Sequence, residues 1–131
     1  MIRELTLLSK GRTMKLCVSA IGREMTSKVY GAFGRAPYLL IVDTETLEME
    51  ALDNTAANVS QGAGIGTAQI IANKGVDALL TGHVGPTNAY TALESAGITI
   101  YEGASIDDTV QETVNKFTQG QAKESTDAGG R

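Results

Sequence analysis

Tyr38-Leu39-Leu40-Ile41-Val42-Asp43, then Thr44-Glu45-Thr46, then Leu47-Glu48-Met49-Glu50-Ala51-Leu52, is the stretch that decides the fold. Its first six residues are an almost unbroken apolar run, as expected of a strand covered on both faces. Its last six alternate Leu47, Met49 and Ala51 against Glu48 and Glu50, so that strand keeps one wet face, and its charges suit a sheet edge. A short turn joins them as an antiparallel pair. Upstream, Met14–Ala20 sets Leu16, Val18 and Ala20 on one side and predicts a further strand.

Downstream the apolar period changes. Residues 62–74 place Ile65, Ala68, Ile71 and Ala72 at helical spacing, and Gly75 ends the helix. Val76–Leu80 reads as a short buried strand. Pro86 opens a helix with Ala89, Ala92, Leu93 and Ala96 on one face and Gly97 after its end. Ile98–Tyr101 is the last strand. Ser105, with Asp108 three residues on, predicts the cap of a final helix whose stripe is Ile106, Val110, Val114 and Phe117. The order β-β-β-α-β-α-β-α predicts an α/β domain with a mixed five-stranded sheet, an antiparallel meander followed by parallel crossover units, and three helices. Residues 14–120 are assigned to that domain, 1–13 to an N-terminal extension, and 121–131, rich in Gly and acids, to a flexible tail.

The chain has 131 residues, 42% hydrophobic and 20% charged, which suits one globular domain and excludes wholesale disorder. No apolar run approaches the ~18 residues of a membrane span, and the start lacks a secretory pattern, so a cytoplasmic protein is expected. One cysteine, Cys17, and one histidine, His83, exclude a disulfide framework, a zinc site built on cysteine pairs and a two-histidine metal site in one chain. The net charge of -4 conceals an asymmetry: residues 1–35 carry seven bases and two acids, the remainder four bases and thirteen acids. An acidic protein without tryptophan lacks the broad basic, aromatic surface that nucleic acids need. No long apolar edge demands a partner, so a monomer is expected.

If the first strand runs upward, the loops 21–37, 53–61, 81–85 and 102–105 all lie at the top edge, where open α/β sheets bind ligands. The first of these carries Arg23, Lys28 and Arg35 among glycines, as an anion-binding loop would, or an ordinary solvated one. Its length and few apolar anchors predict a loop that orders only around a ligand, with Phe33 packed beneath it. Gln61-Gly62-Ala63-Gly64-Ile65-Gly66 opens a helix, so its glycines serve either an anion or tight helix–sheet packing. Thr81-Gly82-His83-Val84-Gly85-Pro86 sets the one histidine beside another helix start. Cys17 lies mid-strand, where a small buried hydrophobe is the common case.

Phe33-Gly34-Arg35-Ala36-Pro37-Tyr38, Ile41-Val42-Asp43-Thr44-Glu45-Thr46, Gly62-Ala63-Gly64-Ile65, Thr81-Gly82-His83-Val84-Gly85-Pro86 and Glu102-Gly103-Ala104-Ser105 follow one another in order. Their combination resembles the dinitrogenase iron-molybdenum cofactor biosynthesis family, from Met14 to about Ser125. The resemblance implies a ribonuclease H-like fold and non-catalytic binding of metal–sulfur clusters, as in cluster carriers of nitrogenase assembly and orange proteins holding a molybdenum–copper sulfide cluster without covalent attachment. One position departs: several members have His or Arg immediately before the Phe-Gly pair, where this chain has Ala32.

The expected function is therefore carriage of an anionic iron–molybdenum–sulfur or molybdenum–copper–sulfur cluster, not catalysis. Arg23, Lys28 and Arg35 would neutralise charge, Phe33, Gly34, Gly62, Gly64, Gly82 and Gly85 would shape the pocket and expose N–H groups, and His83 or Cys17 would touch metal. Cluster donor and acceptor proteins would be the partners. The alternative is a regulatory or protein-interaction module of the same fold that has lost cluster binding, for which Ala32 is the argument. A two-metal nuclease needs several carboxylates at the top edge, and Asp43 and Asp77 are predicted at the bottom.

Overall fold

Strand β1, Lys15–Ala20, pairs antiparallel with β2, Tyr38–Asp43, which pairs antiparallel with β3, Met49–Asp53. On its other side β1 runs parallel to β4, Ala78–Leu80, and β4 parallel to β5, Thr99–Tyr101. The five-stranded order is β3-β2-β1-β4-β5, in the computed structural model of the protein, which describes residues 14–59, 61–85, 87–122 and 124. The extension assigned to 1–13 lies outside the described residues, as does most of the tail. The helices are α1, Ala63–Asn73, α2, Thr87–Ser95, and α3, Val110–Thr118. This is the predicted mixed α/β domain, and it is compatible with the ribonuclease H-like class.

Strand alternation sorts the core into two layers. Cys17, Leu39, Ile41, Leu79 and Ile100 point to one face and pack with Ala68, Ile71, Ala89 and Leu93 of α1 and α2. Leu16, Val18, Leu40, Val42 and Leu80 point to the other and pack with Val110 and Val114 of α3. The continuous apolar run of β2 is thus explained, because both its faces are covered. Among the described residues no helix is long and apolar enough to cross a membrane.

Several boundaries differ from the sequence reading, among them the start of β4, which is Ala78 and not Val76, and two have an identifiable local cause. Leu47 is a turn residue with φ +63°, about half exposed, and β3 starts two residues later. Asp43 is the reason: its carboxylate accepts the N–H groups of Glu45 and Thr46, and its carbonyl accepts that of Leu47 at 2.8 Å. The last helix starts at Val110, not after Ser105. Thr109 Oγ1 accepts Glu112 N–H at 3.1 Å and Glu112 Oε1 accepts Thr109 N–H at 2.8 Å, a reciprocal box that Ser105 and Asp108 do not form. Ile106, assigned to the buried stripe, is 62% exposed.

The long segment 21–37 is also better tied than its sequence suggests. Val29 pairs with Ala20 at the end of β1, and Tyr30 N–H donates to Ser19 O at 2.9 Å. Val29 and Phe33 are both buried. At the other end Ala122 packs against the α3 layer and Glu124 pairs with Tyr101 on the outer edge of β5.

Candidate functional site

Helix α1 begins behind Gly62, which sits at φ +81° with nothing within 4 Å of the place a Cβ would take. No side chain caps this end. Gly66 N–H, donating to Gly62 O at 2.9 Å, makes the first helical bond, so those of Ala63, Gly64 and Ile65 precede the ladder. These are the donors that favour an anion, together with the positive end of the helix dipole.

The glycines then bring three elements together. A Cβ on Gly64 would stand 2.6 Å from Cβ of Ala89 on α2. A Cβ on Gly34, in the single 3-10 turn Phe33–Arg35, would stand 2.8 Å from the backbone of Gly64. Only residues without side chains allow this approach. The result is a cleft of about 470 Å³ at the carboxyl ends of β1 and β4, between the starts of α1 and α2. Gly34, Arg35, Gly62, Gly64, His83 and Gly85 line it, so the structure collects six of the sequence-selected residues in one place.

Arg35 is braced: its Nη1 donates to the carbonyls of Ala57 at 2.9 Å and Val59 at 2.6 Å. His83 is exposed, and its backbone is bonded on both sides, N–H to Gly31 O at 2.8 Å and carbonyl from Phe33 N–H at 3.1 Å. That short bridge aligns residue 83 with Ala32, which also lines the cleft. Glu102 Oε2 accepts Val84 N–H at 2.7 Å and fixes the loop behind the histidine.

The other selected residues lie elsewhere. Phe33 is buried beneath the cleft against α1 and α2. Gly82 is a packing glycine, since a Cβ there would stand 2.4 Å from Gly31 O. Arg23 is directed away, pairing with Asp53 at 2.6 Å and lying 5.5 Å over the Tyr38 ring. Lys28 Nζ donates to Asp107 O at 2.6 Å, beside the start of α3. The pairing of Val29 with Ala20 explains this, because it carries Lys28 to the α3 face, opposite α1 and α2. Cys17 is wholly buried in the core, absent from the cleft wall, and burial pushes its thiol well above the ordinary 9.0. The thiolate that a metal needs is therefore disfavoured, and Cys17, a candidate ligand in the sequence, lies in the core and outside the cleft. Among the described residues no three His, Cys, Asp or Glu side chains gather as a metal site would need.

Gln61 and Asn88 also line the cleft and were not selected from the sequence. Each flanks a helix start, and that position was their signal. A second cavity of about 340 Å³ lies under the 102–105 loop, walled by α3 and its Asp108–Lys116 pair at 2.7 Å.

Known proteins share this architecture. The apo orange protein of Desulfovibrio gigas superposes with a TM-score of 0.83 at 36% identity, covering 88% of this chain and 95% of that one. A Thermotoga protein described as a "putative NifB protein" superposes with a TM-score of 0.71 at 32% identity, covering 85% and 92%. The uncharacterized protein MJ0580 of Methanocaldococcus jannaschii is 29% identical over 119 residues, 88% of this chain and 95% of its own length. The family model described as dinitrogenase iron-molybdenum cofactor matches residues 14–120, the whole sheet with its three helices, and the chain belongs to that family.

Proposed function

We propose that the cleft holds a small anionic metal–sulfur cluster without covalent attachment, and that the protein carries the cluster and does not transform it. The observation that supports this most is the meeting of two helix starts over a glycine-walled space with Arg35 and His83 at its rim. The donor set suits such a cargo. Terminal sulfides accept hydrogen bonds from N–H and guanidinium groups, and the open space beside Gly62, where no atom lies within 4 Å of a would-be Cβ, leaves room for a ligand to reach the backbone. The space is of the size that small-molecule sites occupy.

In this reading Arg35 neutralises charge, the 63–65 N–H groups and the amides of Gln61 and Asn88 orient the cluster, and His83 is the one side chain able to reach metal through nitrogen. Arg23, Lys28 and Cys17 have no part in it. Residues 14–120 form the carrier domain, acting as a cytoplasmic monomer between a cluster donor and an acceptor. The cluster is of the iron–molybdenum–sulfur or molybdenum–copper–sulfur kind.

Titration with tetrathiomolybdate, alone and with cuprous ion, followed by the visible spectrum and metal analysis, tests the reading. A charge-assisted hydrogen bond contributes about 1.5–3 kcal/mol, so Arg35→Ala should weaken binding roughly ten- to a hundredfold. Arg23→Ala and Lys28→Ala should bind as the parent does. Full binding by Arg35→Ala, with loss in a Cys17→Ala variant, would sink the proposal. The second reading, an interaction module without a cluster, draws on Ala32 at the cleft wall, and an absence of cluster binding at any ratio would favour it.

A further inference from the structure

Asn54 follows β3 and is buried, as is Thr67 on α1, and neither lines the cleft. Among the described residues their side chains bond to the segments that frame the cleft. Asn54 Nδ2 donates to Ala36 O at 2.9 Å and to Thr67 Oγ1 at 3.0 Å, with Gly34 O at 3.4 Å. Its Oδ1 accepts Ala56 N–H at 3.1 Å. The Thr67 hydroxyl has one proton, and the shortest acceptor is Ala63 O at 2.7 Å, in the first turn of α1. Thr67 Oγ1 is then the acceptor toward Asn54.

We propose that Asn54 and Thr67 are the positioning pair of the cleft, setting Gly34 and the Arg35 brace against the first turn of α1. The polarity is forced. Ala36 O can only accept and Ala56 N–H can only donate, so the amide nitrogen faces one and the oxygen the other. Segment 54–59 is thereby fixed at its start by Asn54 and near its end by Arg35, whose guanidinium holds the carbonyls of Ala57 and Val59. Loosening Asn54 loosens the surface against which Arg35 is aimed. A fully satisfied buried network of this kind selects one geometry, where an apolar contact would tolerate several. The pair touches no ligand and acts through the backbone of residues 34–36 and 63. The inference deepens the cluster-binding reading and rests on it.

The test uses the full chain and tetrathiomolybdate as probe. Thr67→Val keeps the shape and removes the hydroxyl, Thr67→Ser keeps the hydroxyl, and Asn54→Asp replaces the donor by an acceptor. Val114→Ala, in the layer on the opposite face, serves as a control of lowered melting temperature. Thr67→Val and Asn54→Asp should weaken the probe by about tenfold or more, the loss expected of one broken hydrogen bond with a partner left bare, and Thr67→Ser and Val114→Ala should stay within about twofold. In the ligand-free protein, the Arg35 Nε–H resonance and the amides of 63–65 should shift in Thr67→Val and not in Val114→Ala. Parent-like affinity in Thr67→Val, or an equal loss in Val114→Ala, overturns the inference. If Asn54→Asp does not fold, Thr67→Val decides. If the parent itself binds no tetrathiomolybdate, the cluster reading falls, and unchanged Arg35 and 63–65 signals in Thr67→Val would overturn the positioning role separately.

Discussion

Glycines 62 and 64 stand two residues apart at the same helix start and fail differently when given a side chain. Gly64→Ala gains helix propensity of at most about 1 kcal/mol but drives a Cβ into that of Ala89, and overpacking of this kind costs about 1–3 kcal/mol. The clash should win. We expect a net loss of up to about 2 kcal/mol in urea melts and a clear loss of tetrathiomolybdate binding as α1 and α2 move apart. Gly62→Ala meets no atom and should cost only the left-handed backbone strain, about 1–2 kcal/mol. Cys17 gives a prediction in pH. Its folded thiol titrates above its unfolded value of 9.0, so the folded chain keeps a proton that the unfolded chain loses at high pH. This contribution is complete below pH 9.0 and is lost as pH rises beyond it, by up to about 1.4 kcal/mol per unit. Between about pH 8 and about pH 10.5 the parent should lose about 2 kcal/mol more stability than Cys17→Ala, and native Cys17 should resist thiol reagents. Equal pH slopes in the two proteins would refute its burial. The core reading of Cys17 was legible in its strand position, whereas the aim of Arg23 and Lys28 was not, because it depends on Asp53, Tyr38 and Asp107, which the chain brings up from afar.

Element boundaries were set by local competition that the hydrophobic pattern does not see. Both Ser105 and Thr109 have an acid three residues on, and the apolar stripe could start at Ile106 or Val110. The winner is the site whose acid reaches back: Glu112 bonds Thr109 N–H, and the Val110 side chain enters the α3 layer while Ile106 stays in water. Thr109→Ala should therefore destabilise the protein by about 1 kcal/mol, while Ser105→Ala should stay within about 0.5 kcal/mol, as read by thermal melts. Equal effects would mean that the helix starts earlier than residue 110. Leu47 shows the same rule in a turn, since the carboxylate and carbonyl of Asp43 organised residues 45–47 and took Leu47 out of the strand that its alternation had suggested. Segment 21–37 hides its tethers in the sequence for another reason. Its bonds run to Ser19, His83 and Asp108, and no local pattern reports such distant partners.

At the scale of the molecule, the family match starts at residue 14 and β1 at Lys15, and we propose that the folding unit starts there too. A chain beginning at Met14 should then melt within about 2 °C of the full chain, and a fall of more than about 8 °C, over 1 kcal/mol for a domain this size, would refute that boundary. The sequence by itself determined the class of fold, the order of its elements and the edge of the sheet that carries the long loops. Alternation and helical spacing are local properties, and parallel crossovers leave few topologies. It also placed Gly34, Arg35, Gly62, Gly64, His83 and Gly85 at that edge. Only the tertiary structure decided which of the edge residues share a cleft. That outcome depends on the close contacts that Gly34 and Gly64 make with each other and with Ala89, on the buried bonds of Asn54 and Thr67, and on the face to which Val29 carries Lys28. Each of these is a contact between segments far apart in the chain, so no local period encodes it.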